Sequence, residues 1–93
     1  MTLLDRIRAA IGGLLLQEIR ATGLQAYESG TGVYFDIRRA PCGADHIVIF
    51  WNEDTDLFRV QLCRRSNSRL IQGKSGVPLS ELGAVVQRLS RHG

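Results

Sequence analysis

Ninety-three residues, 44% of them hydrophobic and 23% charged, with a net charge of +3, leave room for one domain over 1–93. A chain of this size buries about 65% of its unfolded surface, enough for one core without disulfide or metal staples. Asp5 near the start and a longest early apolar run of only Leu14-Leu15-Leu16 speak against an export signal and a membrane span, so the cytoplasm is the expected location.

Residues 3–22 have the spacing of an amphipathic helix, with Leu4, Ile7, Ile11, Leu14, Leu15 and Ile19 on one stripe. Thr2 followed by Asp5 makes a capping-box start, and Gly23 is a C-terminal stop. Gly12-Gly13 interrupts the stripe, and each glycine costs about 1 kcal/mol in a helix interior. Tight packing of the helix on its own sheet is the favoured reason; a kink or an oligomer contact is the alternative. A short extended piece is expected from Leu24 to Tyr27, then turn chemistry at Ser29-Gly30-Thr31-Gly32.

Val33 to Arg39 alternates cleanly, with Val33, Phe35 and Ile37 on one side and Tyr34, Asp36 and Arg38 on the other, as a half-buried strand does. After the loop at Pro41–Asp45, Ile47-Val48-Ile49-Phe50-Trp51 is a continuous apolar run, expected as a central strand covered at least partly on both faces. Asn52–Asp56 is an acidic turn. Leu57–Arg64 is a third strand, directing Phe58, Val60 and Leu62 inward and Leu57, Arg59, Gln61 and Cys63 outward. Ser66-Asn67-Ser68 turns the chain into a short edge strand at Arg69–Gln72. Gly73-Lys74-Ser75-Gly76 is expected as a flexible connection. Pro78 then opens a second amphipathic helix over roughly 79–91, marked by Leu79, Leu82, Val85, Val86 and Leu89.

The expected fold is therefore α+β, a two-layer sandwich in the order α-β-β-β-(β)-α. Both helices lie on one face of an antiparallel sheet. The other face shows Tyr34, Asp36, Arg38, Arg59, Gln61 and Cys63. It also shows either His46, Val48 and Phe50 or Ile47, Ile49 and Trp51, depending on register.

Charge is unevenly distributed. Residues 1–56 carry five Arg against eight acids, a net of −3, whereas residues 57–93 carry seven cations against Glu81 alone, a net of +6. Eleven of the twelve basic residues are Arg, whose planar fork suits carboxylate and phosphate. Catalytic and metal motifs are wanting. Glu53, Asp54 and Asp56 fall in a turn, without the Gly and terminal Glu of a calcium loop. Cys42 and Cys63 have no metal spacing and are expected as reduced thiols. Cys63 has Arg neighbours but no histidine evidently placed to activate it. His46 beside Asp45 is expected as a strand-edge residue. No cofactor, no metal and no enzyme activity are expected.

What remains is recognition. Tyr34, Arg38, Trp51, Arg59, Arg64, Arg65 and Arg69 are the candidate contact residues, because Tyr, Trp and Arg are the usual anchors of protein interfaces. A protein partner is the leading expectation, for an adaptor or an inhibitor of a larger machine, with a homodimer as one form of it. The alternative is RNA or single-stranded DNA stacked on the aromatic residues. The α-β-β-β-α order resembles the double-stranded-RNA-binding domain. However, Val77-Pro78-Leu79-Ser80-Glu81 stands where that family has a lysine cluster, and no residue carries over.

Overall fold

The computed structural model describes residues 2–92; Met1 and Gly93, the two ends of the expected domain, lie outside the described residues. Helix α1 (Leu3–Ile11) and a short helix α2 (Gly13–Glu18) lead into five strands: β1 (Thr22–Ala26), β2 (Gly32–Asp36), β3 (His46–Asn52), β4 (Leu57–Arg64) and β5 (Arg69–Val77). A 3-10 turn at Leu79–Glu81 and helix α3 (Leu82–Ser90) follow. The strands form one antiparallel meander in the order β1-β2-β3-β4-β5. The helices pack on one face, giving the expected two-layer α+β sandwich.

The first helix starts as its sequence dictates. The Thr2 hydroxyl accepts from the Asp5 N–H at 3.1 Å, and the Asp5 carboxylate accepts from the Thr2 N–H, closing the capping box. The Thr2 hydrogen bonds hold the Asp5 carboxyl below its ordinary value.

The helix does not run on to residue 22. It breaks at Gly12, whose φ of +89° is a conformation that L side chains rarely adopt. A Cβ on Gly12 or Gly13 would meet nothing within 4 Å, so the double glycine makes a kink rather than the tight packing favoured from sequence. The close backbone approach occurs instead at Gly83 in α3, where a Cβ would lie 3.2 Å from the Ala10 carbonyl oxygen of α1. α2 ends by Glu18, and Gly23 lies inside β1, at a register irregularity between Thr22 and Gln25.

Alternation along β2, β3 and β4 sends Val33, Phe35, Ile47, Ile49, Phe58, Val60 and Leu62 to the helix side, where Ile7, Leu82, Val86 and others close the core. Removing each such side chain from water contributes about 1.5–3 kcal/mol. β5 is longer than expected. It includes Gly73-Lys74-Ser75-Gly76, and register shifts against β4 between Phe58 and Val60 and between Leu62 and Cys63 absorb the irregular residues. Five strands rather than three also separate this fold from the double-stranded-RNA-binding topology.

Candidate recognition face

With the helices on one side, no helix among the described residues packs on the other side of the sheet. Register decides what it displays. Tyr34 pairs with Val48, Val48 with Gln61, and Phe50 with Arg59, which puts His46, Val48 and Phe50, not Trp51, beside Tyr34 on the open face. Val48 is only 7% exposed on this face, between its ladder partners Tyr34 and Gln61.

The rings of this face form an aromatic cluster. Tyr27 stacks on Phe50 with centroids 5.8 Å apart and planes 7° apart, and lies 4.8 Å from the Tyr34 ring. Gly32 makes this possible. A Cβ there would lie 3.2 Å from both the Tyr27 and Phe50 rings and 2.7 Å from the Ile49 carbonyl oxygen. The Tyr34 hydroxyl donates to Gln25 Oε1 at 2.9 Å, tying the edge strand β1 to β2. Desolvation raises the Tyr27 hydroxyl above its ordinary value, so it stays a neutral phenol.

Charged groups flank the rings. The Arg59 guanidinium sits 5.3 Å from the Phe50 centroid, a cation–π contact. Asp36 lies at the other end of the face. Its Oδ1 is 2.9 Å from His46 Nδ1, and its Oδ2 accepts from Arg65 at 2.6 Å. The Arg65 N–H donates to Asp45 Oδ1 at 2.9 Å, which fixes the turn that carries this arginine. Tyr34, Asp36, His46, Phe50, Gln61 and Cys63 all line one open hollow of about 620 Å³. Burial pushes the Cys63 thiol above its ordinary value, overriding any acidifying effect of nearby arginines.

The seven candidate contact residues are thus divided. Tyr34, Arg64 and Arg65 line the hollow, and Arg59 flanks Phe50 on the same face. Trp51 belongs to the helix side, packed against the core. Its Nε1–H donates to Asp56 at 2.9 Å, and the Arg6 guanidinium lies 5.7 Å from its ring. Arg38 follows the end of β2. Its N–H donates to the Ile19 carbonyl at 2.8 Å, and its side chain lines a small cavity of about 170 Å³ with Glu18, Gln87 and Arg91. Arg64 is half-buried beside Gly43, where a Cβ would lie 2.6 Å from its guanidinium, and its Nε has no hydrogen-bond partner among the described residues. Arg69 is exposed at the start of edge strand β5, paired with Arg64 in register. Sequence reading left out Tyr27, placed at the end of a weak extended piece, and the Asp36–His46 pair, which only register reveals.

The acidic turn is structural. Asn52 accepts from the Asp54 N–H at 3.0 Å, and Asp56 holds Trp51 and lies 3.5 Å from Arg6. Among the described residues no three His, Cys, Asp or Glu side chains are placed to hold one metal ion, and no helix is long and apolar enough to cross a membrane. No family model matches the chain, and no curated protein or solved structure matches it either.

Proposed function

We propose that this chain is a non-enzymatic binding protein that occupies a protein partner through the open face of its sheet. On this reading it serves as an adaptor or as an inhibitor of a larger machine. The observation that carries the reading is the Tyr27–Tyr34–Phe50 cluster, flanked by Arg59, on the face of the five-stranded sheet that no helix among the described residues covers. Aromatic and Arg side chains around a partly desolvated centre are the composition of interface anchors.

Two features support a face-on mode over strand addition. Both edge strands have register irregularities, and β5 carries Lys74, devices that blunt an edge against pairing. This makes edge-to-edge homodimerisation the weaker form of the idea. Nucleic acid is the second reading, and the scatter of the arginines weighs against it. Arg65 is tied to Asp36, Arg38 lies toward the helices and Arg64 is tucked against Gly43. A strand-tracking cationic groove needs such charges unpaired and in line. Cys42 and Cys63, both unbridged, fit a cytoplasmic location.

Affinity capture from the native host, with and without nuclease, tests the reading. A partner retained after nuclease treatment and in high salt supports it. Retention on heparin together with nuclease-sensitive, salt-sensitive capture would replace it with the nucleic-acid reading.

A further inference from the structure

The open face carries an arrangement that partner binding leaves unused. Three adjacent strands present Asp36, His46 and Cys63 in a row: Asp36 pairs with His46 across β2 and β3, and His46 pairs with Cys63 across β3 and β4. Directly paired residues on one face hold their Cβ atoms about 4.5–5.5 Å apart. All three line the same hollow.

Their chemistry is ordered along the row. His46 Nδ1 faces Asp36 Oδ1 at 2.9 Å, while Arg65 grips the other carboxylate oxygen. A carboxylate only accepts, so in the neutral imidazole Nδ1 carries the proton and Nε2 keeps the free lone pair. Cys63 is half-buried and rests as a thiol, so it waits on a base to become nucleophilic. His46, its neighbour in register, is placed to approach it, with no hydrogen bond between the two side chains among the described residues. A carboxylate that orients an imidazole next to a thiol is the constellation of base-assisted acyl chemistry.

We infer that Cys63 is a covalent acceptor for an acyl group delivered as an activated oxygen ester into this hollow. His46 Nε2 takes the thiol proton, and Sγ forms a bond to the ester carbonyl carbon. The bond from that carbon to the leaving oxygen breaks, and the proton passes from His46 to that oxygen. A thioester on Cys63 and a free alcohol result, with no change in oxidation state. The imidazole is needed above all to take the thiol proton, so the rate depends on it even when the leaving oxygen departs as a stable anion such as p-nitrophenolate. Asp36 is a positioning residue, and Arg65 holds it in place. The reaction is a single stoichiometric capture and does not depend on the partner-binding reading.

The test is acetylation by p-nitrophenyl acetate at neutral pH, followed by peptide mapping of both thiols, with Cys42 as the internal control. Cys63 is expected to acetylate at least about tenfold faster than Cys42. His46→Gln slows Cys63 by about a hundredfold while leaving Cys42 unchanged. Asp36→Asn slows Cys63 by less than His46→Gln does, and Asp36→Glu restores part of the rate. The proposal is overturned if Cys63 in the native protein reacts no faster than Cys42. It also falls if His46→Gln, folded by circular dichroism, leaves the Cys63 rate unchanged. The native ratio of the two thiols decides even if a variant fails to fold.

Discussion

Strands β2, β3 and β4 send Val33, Phe35, Ile47, Ile49, Val60 and Leu62 to one side and Tyr34, His46, Val48, Phe50, Arg59 and Gln61 to the other. The first set meets α1 and α3 and is almost entirely withdrawn from water. No helix among the described residues packs on the second, yet it is not an ordinary solvated face. Its rings stack, its acid is held by two partners and Val48 is only 7% exposed. One set of strands thus holds the fold together on one side and keeps an organised surface on the other. Period-two alternation is what lets the two jobs be separated residue by residue.

Truncating one ring on each side separates the two faces most strongly. Phe35→Ala, on the fully buried face, is expected to cost about 3–5 kcal/mol in urea unfolding. Phe50→Ala, half-buried on the open face, should cost less, about 1–2 kcal/mol, and remove partner capture. Equal losses of stability would erase the distinction. Next comes Gly32→Ala. Its Cβ would collide with the Ile49 carbonyl and press both stacked rings, so a loss of about 1–3 kcal/mol is expected, with altered tyrosine fluorescence.

On the covered side, the kink offers a paired test. Gly12→Ala places a side chain at φ +89° and should lose about 1–3 kcal/mol. Gly13→Ala, in open space at the start of α2, should gain up to about 1 kcal/mol by thermal melting. A gain from both would mean that the break at Gly12 is not held.

The smallest effect is at alkaline pH. Tyr27 and Cys63 on the open face both have raised values in the folded chain, from 10.0 and 9.0. Their contribution to stability is therefore complete below those ordinary values and is lost as pH rises through the raised ones. Tm should fall as the pH rises above about 9, and Cys63→Ser should flatten the first part of that fall.

Much of this was legible from local pattern. The Thr2–Asp5 cap, the alternation of Val33–Ile37 and Leu57–Cys63, and the second helix are encoded within a few residues each, so reading along the chain finds them. Gly12-Gly13 was ambiguous because a glycine pair suits a kink and a close approach equally, and only the position of Gly83 shows where the helices meet. Gly73–Gly76 has turn chemistry but is recruited into β5 by the ladder with β4, a tertiary effect that overrides local preference. The candidate face needed register. The apolar run Ile47–Trp51 reads the same with either set of side chains outward, and the partners of Phe50 settle it. The arginines near Arg64 looked like one patch because they are close in sequence. In space, Arg64 turns to Gly43, Arg65 reaches Asp36 and Arg69 stands at the edge.

On the proposed reading the open sheet face, rather than the α3 surface that carries Arg88 with Arg91 just beyond it, meets the partner. Capture from the native host with two charge-reversed variants tests it directly. One carries Phe50→Ala with Arg59→Glu on the open face, and the other carries Arg88→Glu with Arg91→Glu on and just beyond α3, both checked for folding by circular dichroism. Loss of the partner in the first and full retention in the second is the predicted result. Retention in the first with loss in the second would contradict it.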